Sequence, residues 1–240
     1  MWNFEQGEVL AFDKPLHWTS FDLVAKVRYN LCRKLGKKKL KVGHSGTLDP
    51  LATGVVVVCT GKKTKLIESL QYDVKEYIAT LQLGATTPSY DLEKEIDATY
   101  PTSHITRELI DKTMPEFIGE QWQTPPMFSA IQINGKRAYD LARKGEVVEL
   151  KPRLLVIDEI EVLDFDESLM QLTIRVVCSK GTYIRALARD VGERLQSGAH
   201  LIALRRTRVG DIRVENCMTV ENFLEKLNKY ELKNRLNEEK

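Results

Sequence analysis

Hydrophobic and polar positions change period several times along the 240 residues. Tyr77, Ala79, Leu81 and Leu83 alternate with Ile78, Thr80 and Gln82, which is the period of a half-buried strand. Val55-Val56-Val57-Val58-Cys59 is an unbroken apolar run of strand length, and residues 8–12 read as a shorter strand. Residues 154–163 and 169–178 read as a strand pair around the polar Asp164-Phe165-Asp166-Glu167, and 201–209 as a further strand. A spacing of three and four takes over after residue 20, where Phe21, Val24, Val27 and Leu31 share one helical face. Thr19 or Ser20 caps this helix and Gly36 ends it. Helices are also predicted over 64–70, 106–117, 138–143, 181–195 and 220–227, and the polar stretch 233–240 is expected to fray. Asn134-Gly135 is a hairpin turn signal.

Strands and helices are mixed, and several neighbouring strands look hairpin-connected. The pattern predicts an α+β fold with a mixed, largely antiparallel central sheet flanked by helices, rather than a doubly wound one. A chain of this length fits one large domain or two small ones. No apolar stretch approaches the ~20 residues that a membrane span needs. The start, Met1-Trp2-Asn3-Phe4-Glu5, lacks the layout of a signal peptide, so the expected location is cytoplasmic. Cys32, Cys59, Cys178 and Cys217 form no CxxC pair and read as buried thiols rather than metal ligands or disulfides. Neither GxGxxG nor GxxxxGK[ST] occurs, so no nucleotide cofactor is expected.

Charge enters through its distribution. Lys26, Arg28, Arg33, Lys34, Lys37, Lys38, Lys39 and Lys41 fall in one run without an acid, and Arg205, Arg206, Arg208 and Arg213 form a second group. Such clusters can neutralise phosphates, although a lysine loop after a helix is also a common solvated feature. The first run leads straight into Gly43-His44-Ser45-Gly46-Thr47-Leu48-Asp49-Pro50-Leu51-Ala52-Thr53-Gly54. Here one carboxylate and one imidazole lie among three glycines, which let the backbone turn tightly and approach a partner. Asp49-Pro50 also fits an ordinary helix start, with Asp as the cap and Pro at the first position. His44, Tyr77 in mid-strand, and Gly181-Thr182-Tyr183-Ile184-Arg185 each have a plain packing explanation as well. Taken together, one Asp, two tyrosines, one His and one Arg can form a pocket for a planar base. The residues alone do not give the reaction.

The ordered set of motifs resembles the bacterial tRNA pseudouridine-55 synthase (TruB) family over nearly the whole chain. Lys14-Pro15 with Thr19-Ser20, the segment 44–54, and Gly61 with Thr64-Lys65 are similar to its first two motifs. Lys75-Glu76-Tyr77, Leu83-Gly84, Thr87 and Asp91 resemble its tyrosine motif. Gln123-Thr124-Pro125-Pro126 with Ser129-Ala130 resembles the opening of a thumb-like RNA-binding insertion, here about 125–153. Gly181–Arg185 and Leu204-Arg205-Arg206 complete the set.

The resemblance implies an isomerase that turns a T-loop uridine at position 55 of tRNA into pseudouridine. It implies base flipping and no cofactor. It casts Asp49 as the essential carboxylate, acting as a nucleophile on C1′ or as a base on the sugar. His44 supports the flipped state, Tyr77 stacks on the base, Tyr183 and the backbone at Leu204 line the uridine pocket, and Arg185 pairs with the catalytic carboxylate. The implied partner is the tRNA T-arm, with no membrane and no obligatory protein partner, for a monomer. The expected organisation is a single catalytic domain over 1–240 without an additional C-terminal RNA-binding domain. Position 17 departs from the family pattern, with His where Gly is expected. Two other readings remain at this point, a non-catalytic tRNA-folding module and a guide-RNA-dependent synthase.

Overall fold

The computed structural model describes residues 2–238 apart from 130, 134, 143, 146 and 147. Ala130, Asn134, Arg143 and Lys240 therefore lie outside the described residues. The chain divides into two compact units, Met1–Asp73 with Arg205–Lys240, and Val74–Leu204.

The first unit begins with β1 (Val9–Lys14), α1 (Ser20–Lys34), β2 (Val42–Ser45), β3 (Ala52–Thr60) and the short α2 (Ile67–Leu70). β3 is the middle strand. It pairs antiparallel with β1, from Val9↔Cys59 to Lys14↔Gly54, and with β2, from Val42↔Thr60 to Ser45↔Val57. All five residues of the run Val55–Cys59 are fully buried, which explains why this strand shows no alternation. Thr19 caps α1 in a capping box with Asp22, and Leu23, Val24, Val27 and Leu31 are buried. Phe21 does not join them. It is 65% exposed, because the buried stripe is centred on Ser20 and Phe21 sits roughly 100° further round the helix.

The second unit contains β4 (Lys75–Leu83), β5 (Ala85–Thr86), β6 (Ala98–Thr99), α3 (Arg107–Thr113) and β7 (Gly119–Gln123). It continues with β8 (Gln132–Ile133), β9 (Lys136–Arg137), α4 (Ala138–Ala142), β10 (Arg153–Asp166), β11 (Gln171–Cys178) and α5 (Ile184–Arg194). β4, β11, β10 and β7 are neighbours in that order, and all three pairings are antiparallel. The alternation predicted for β4 is present: Tyr77, Ala79, Leu81 and Leu83 are buried and Ile78 is exposed. β8 and β9 form the expected hairpin, with Gly135 at φ +81° in the turn. α5 starts at Ile184, three residues later than predicted, because Gly181 takes a left-handed φ of +82°. The 106–117 helix is real but shorter, with Thr106 as its cap and a 3₁₀ turn from Met114.

β12 (Ala199–Val209) carries the chain from the second unit back to the first, where β13 (Ile212–Arg213) and α6 (Val220–Glu238) follow. α6 is longer than the predicted 220–227. In the first unit Phe223 meets the ring of Phe12 edge-on at 5.4 Å, and Val55, Val57, Val209 and Val214 pack into one cluster. Cys59 and Cys178 are buried as expected, whereas Cys32 and Cys217 are only half-buried, and all four are free thiols.

The backbone at His17 shows why the resemblance leads one to expect glycine there. Its φ is +65°, a conformation that suits glycine, and its N–H donates to Pro50 O at 2.8 Å. The exposed imidazole contributes little packing. His17→Gly is therefore expected to stabilise the protein by about 1 kcal/mol, which corresponds to roughly 2–4 °C in Tm. A lower Tm in this variant would show that the ring makes contacts that outweigh the backbone relief.

Candidate active site

In the first unit the candidate chemistry lies on the segment that joins β2 to β3. Pro50 and Leu51 form a turn closed by the Ala52 N–H, which donates to Asp49 O at 3.1 Å. No helix starts here, so the capping explanation of Asp49-Pro50 does not hold. Two buried side chains fix this backbone. Ser20, the first residue of α1, accepts from the Leu48 N–H at 2.8 Å, and its hydroxyl donates to Leu48 O at 3.2 Å. The second is Arg206, which is 1% exposed. Its Nε donates to Val55 O at 2.7 Å, Nη1 to Thr47 O at 3.3 Å and Nη2 to Gly46 O at 3.3 Å. One planar guanidinium thus satisfies three carbonyls on both sides of Asp49, a task suited to its rigid fork of donors. Gly54 must be glycine because the backbone of Arg206 lies against it. Its φ is +110°, and a Cβ there would lie 2.1 Å from Arg206 O.

Lys14 is the other buried cation among the described residues of this unit. It occupies an inward position of β1, after Leu10 and Phe12, and is fully buried. Its ammonium donates to Trp18 O at 2.6 Å and to Pro15 O at 2.9 Å. Burial pushes its pKa down to about 8, and Asp49 is the strongest of the charges that oppose this. His44 lies on β2, half-buried, with Nδ1 buried and without a hydrogen-bond partner. Burial lowers its pKa, so the neutral imidazole is favoured.

The second arginine group is divided: Arg213 is exposed, while Arg205, Arg206 and Arg208 make contacts within the protein. Arg206 is internal. Arg205 grips Asp13 with both Nη atoms, at 3.1 and 2.7 Å, and donates to the Thr53 hydroxyl. Arg208 Nη1 donates to Gly210 O at 3.1 Å.

In the second unit Tyr77 is buried on β4, opposite Val176 of β11. Tyr183 stands immediately before α5, and its N–H donates to Oε1 of Gln123, at the end of β7, at 2.9 Å. Arg185 is 5% exposed. Its Nη1 donates to Ser89 O at 3.3 Å and Nη2 to Phe128 O at 3.0 Å, while Nε lies 3.6 Å from Asp91 Oδ2. Asp91 is also buried and is held by the loop around it. Its Oδ1 accepts from the Glu93 N–H, and its carbonyl accepts from the Thr87 and Ser89 hydroxyls. Leu204 is buried on β12, the last residue of this unit.

His44 on β2 and Asp49 on the connection that follows it therefore both lie in the first unit, and Tyr183 and Arg185 share one helix start in the second. Lys14, Ser20, Arg206 and Asp91 are the members that sequence reasoning did not name as site residues. A signal for two of them was present. Lys14 and Arg206 each occupy a slot where strand alternation calls for an apolar side chain.

Chains in two solved ribonucleoprotein structures are similar to this one. A chain in the crystal structure of an archaeal box H/ACA sRNP complex matches with a TM-score of 0.67 and 27% identity, over 95% of this chain and 56% of that one. A chain in an H/ACA RNP bound to a substrate RNA containing 2'-deoxyuridine matches with a TM-score of 0.66 and 28% identity, over 92% and 53%. This chain thus spans just over half the length of those chains. Among curated proteins, the tRNA pseudouridine synthase B of Phocaeicola vulgatus is 67% identical over 98% of this chain and 100% of its own. Those of Bacteroides thetaiotaomicron and Flavobacterium johnsoniae are 65% and 52% identical, over 97% and 92% of this chain and 98% and 96% of theirs. The family model for the TruB family pseudouridylate synthase N-terminal domain matches residues 33–184, and that for the tRNA pseudouridylate synthase B C-terminal domain matches 185–239. The chain belongs to the TruB family of pseudouridylate synthases, a class of isomerases.

Proposed function

We propose that this chain is a stand-alone tRNA pseudouridine synthase whose substrate is the T-loop uridine at position 55, and that Asp49 is its essential carboxylate. The observation that carries this reading is the immobilised turn around Asp49, in a chain 67% identical over nearly its full length to a tRNA pseudouridine synthase B. The reaction breaks the N1–C1′ bond, turns the uracil, and joins C5 to C1′. The C5 proton leaves and N1 gains one, so no net oxidation occurs. The target base must first leave the stack of its loop, at a cost of a few kcal/mol. Contacts to the RNA offset that cost.

In this reading Tyr77 stacks on the base, Tyr183 and the backbone at Leu204 line the uridine pocket, His44 supports the displaced state, and Arg185 keeps the carboxylate-pairing role that the resemblance implies. The hairpin β8–β9 with α4 belongs to the insertion, 125–153, that grips the RNA. No cofactor or protein partner takes part, and the enzyme works as a monomer in the cytoplasm. The test is position-resolved detection of pseudouridine in an unmodified tRNA transcript incubated with the purified chain. Product at the single T-loop uridine supports the reading. Product elsewhere, or none, contradicts it.

The lysine run supplies a separate expectation. Lys37 pairs with Glu5, while Lys38 and Lys39 are exposed. Replacing all three with Ala should weaken RNA binding and lower the slope of log K against log salt by about two, one for each phosphate that Lys38 and Lys39 would neutralise. An unchanged slope would return the run to a solvated loop.

A further inference from the structure

α1 presents a second surface that this chemistry does not use. Phe21, Ala25, Tyr29 and Arg33 follow one another at intervals of four, so they lie on a single ridge of the helix. Phe21 is 65% exposed and Tyr29 64%, although both are large and aromatic. The opposite side of α1 buries Leu23, Val24, Val27 and Leu31, so the core does not need these rings. Tyr29 is flanked on the helix surface by Lys26, three residues before it, and Arg33, four after it, and neither cation is buried. No acid occurs between Lys26 and Lys41. The one acid within α1, Asp22, has its carboxylate engaged by the Thr19 N–H and hydroxyl of the capping box. The ridge also starts next to the candidate chemistry, since Ser20, bonded to Leu48, directly precedes Phe21.

We infer that the outer ridge of α1 is a binding track for unpaired RNA, with bases stacked on Phe21 and Tyr29 and their phosphates held by Lys26 and Arg33. Aromatic faces interleaved with cations on one surface suit single-stranded nucleic acid, because every base offers a π-face and every nucleotide a charge. The eight-residue interval between the rings spans about 12 Å of helix, the reach of roughly two extended nucleotides. A continuous duplex hides its base faces and gains nothing from the rings. This inference rests on the proposed function. It names the nucleotides of the substrate loop that lie beside the modified uridine as the occupants of the ridge.

The test compares the wild type with F21S/Y29S and Y29F, using fluorescence anisotropy on two RNAs, a T-arm stem-loop and a blunt duplex of equal charge. F21S/Y29S is expected to bind the stem-loop at least about thirty-fold more weakly, with the duplex affinity and the salt slope unchanged. Y29F, which keeps the ring, should match the wild type. A thermal melt of F21S/Y29S should coincide with that of the wild type, since both side chains point outward. Unchanged stem-loop affinity, or equal losses on both RNAs, would overturn the inference. Pseudouridine formation by the wild type on the same stem-loop is read in parallel. Its absence would count against the proposed function while leaving the binding comparison decisive for the ridge.

Discussion

Asp49→Asn is expected to bind a T-arm stem-loop within a factor of about three of the wild type and to form product at least ~10⁴-fold more slowly. The amide keeps the shape of the side chain and removes the charge on which either role, nucleophile or base, depends. The turn should survive the change. Ser20 and Arg206 bind the backbone of Gly46, Thr47 and Leu48, and the Ala52 N–H binds Asp49 through its carbonyl. Loss of turnover with intact binding separates chemistry from folding. Single-turnover kinetics at saturating RNA provide the check, and a rate within ten-fold of the wild type would remove Asp49 from the reaction.

The second large effect concerns stability. Arg206→Ala is expected to destabilise the protein by about 3–5 kcal/mol. It deletes one of the largest fully buried side chains and leaves the carbonyls of Gly46, Thr47 and Val55 facing a cavity. Against a typical total of roughly 5–15 kcal/mol, that loss lowers Tm by about 10 °C and the yield of folded protein with it. Arg206→Lys should fall between, since one ammonium cannot span three carbonyls held by a planar fork. A melt of Arg206→Ala within about 2 °C of the wild type would mean that the guanidinium is not what holds the turn.

Much of this could be read from the sequence because local rules and tertiary packing agree. The period of two in 77–83 became β4 with the expected face buried, and Thr19 capped α1 as its side chain allows. The misreadings have physical causes. Phe21 fits a helical spacing, but the small Ser20 takes the inward position and ties the helix to Leu48, which leaves the ring outside. Asp49-Pro50 satisfies the chemistry of a helix start, yet nothing helical follows, because the chain must enter β3 at Ala52. Arg205 and Arg206 read as surface cations on charge alone. Their partners, Asp13 and the carbonyls of the turn, are distant in sequence, so local pattern could not reveal them. Asp91 is a similar case, since its ion pair with Arg185 joins residues on different elements. Buried cations such as Lys14 are visible mainly as violations of alternation.

The most direct test of the central claim is tritium release from a T-arm stem-loop carrying uridine labelled at C5. Joining C5 to C1′ expels the C5 proton, so the isomerisation must release the label. The account predicts release of about one tritium per RNA by the purified chain alone, from the loop uridine at position 55. RNA that is bound but keeps its label would contradict it.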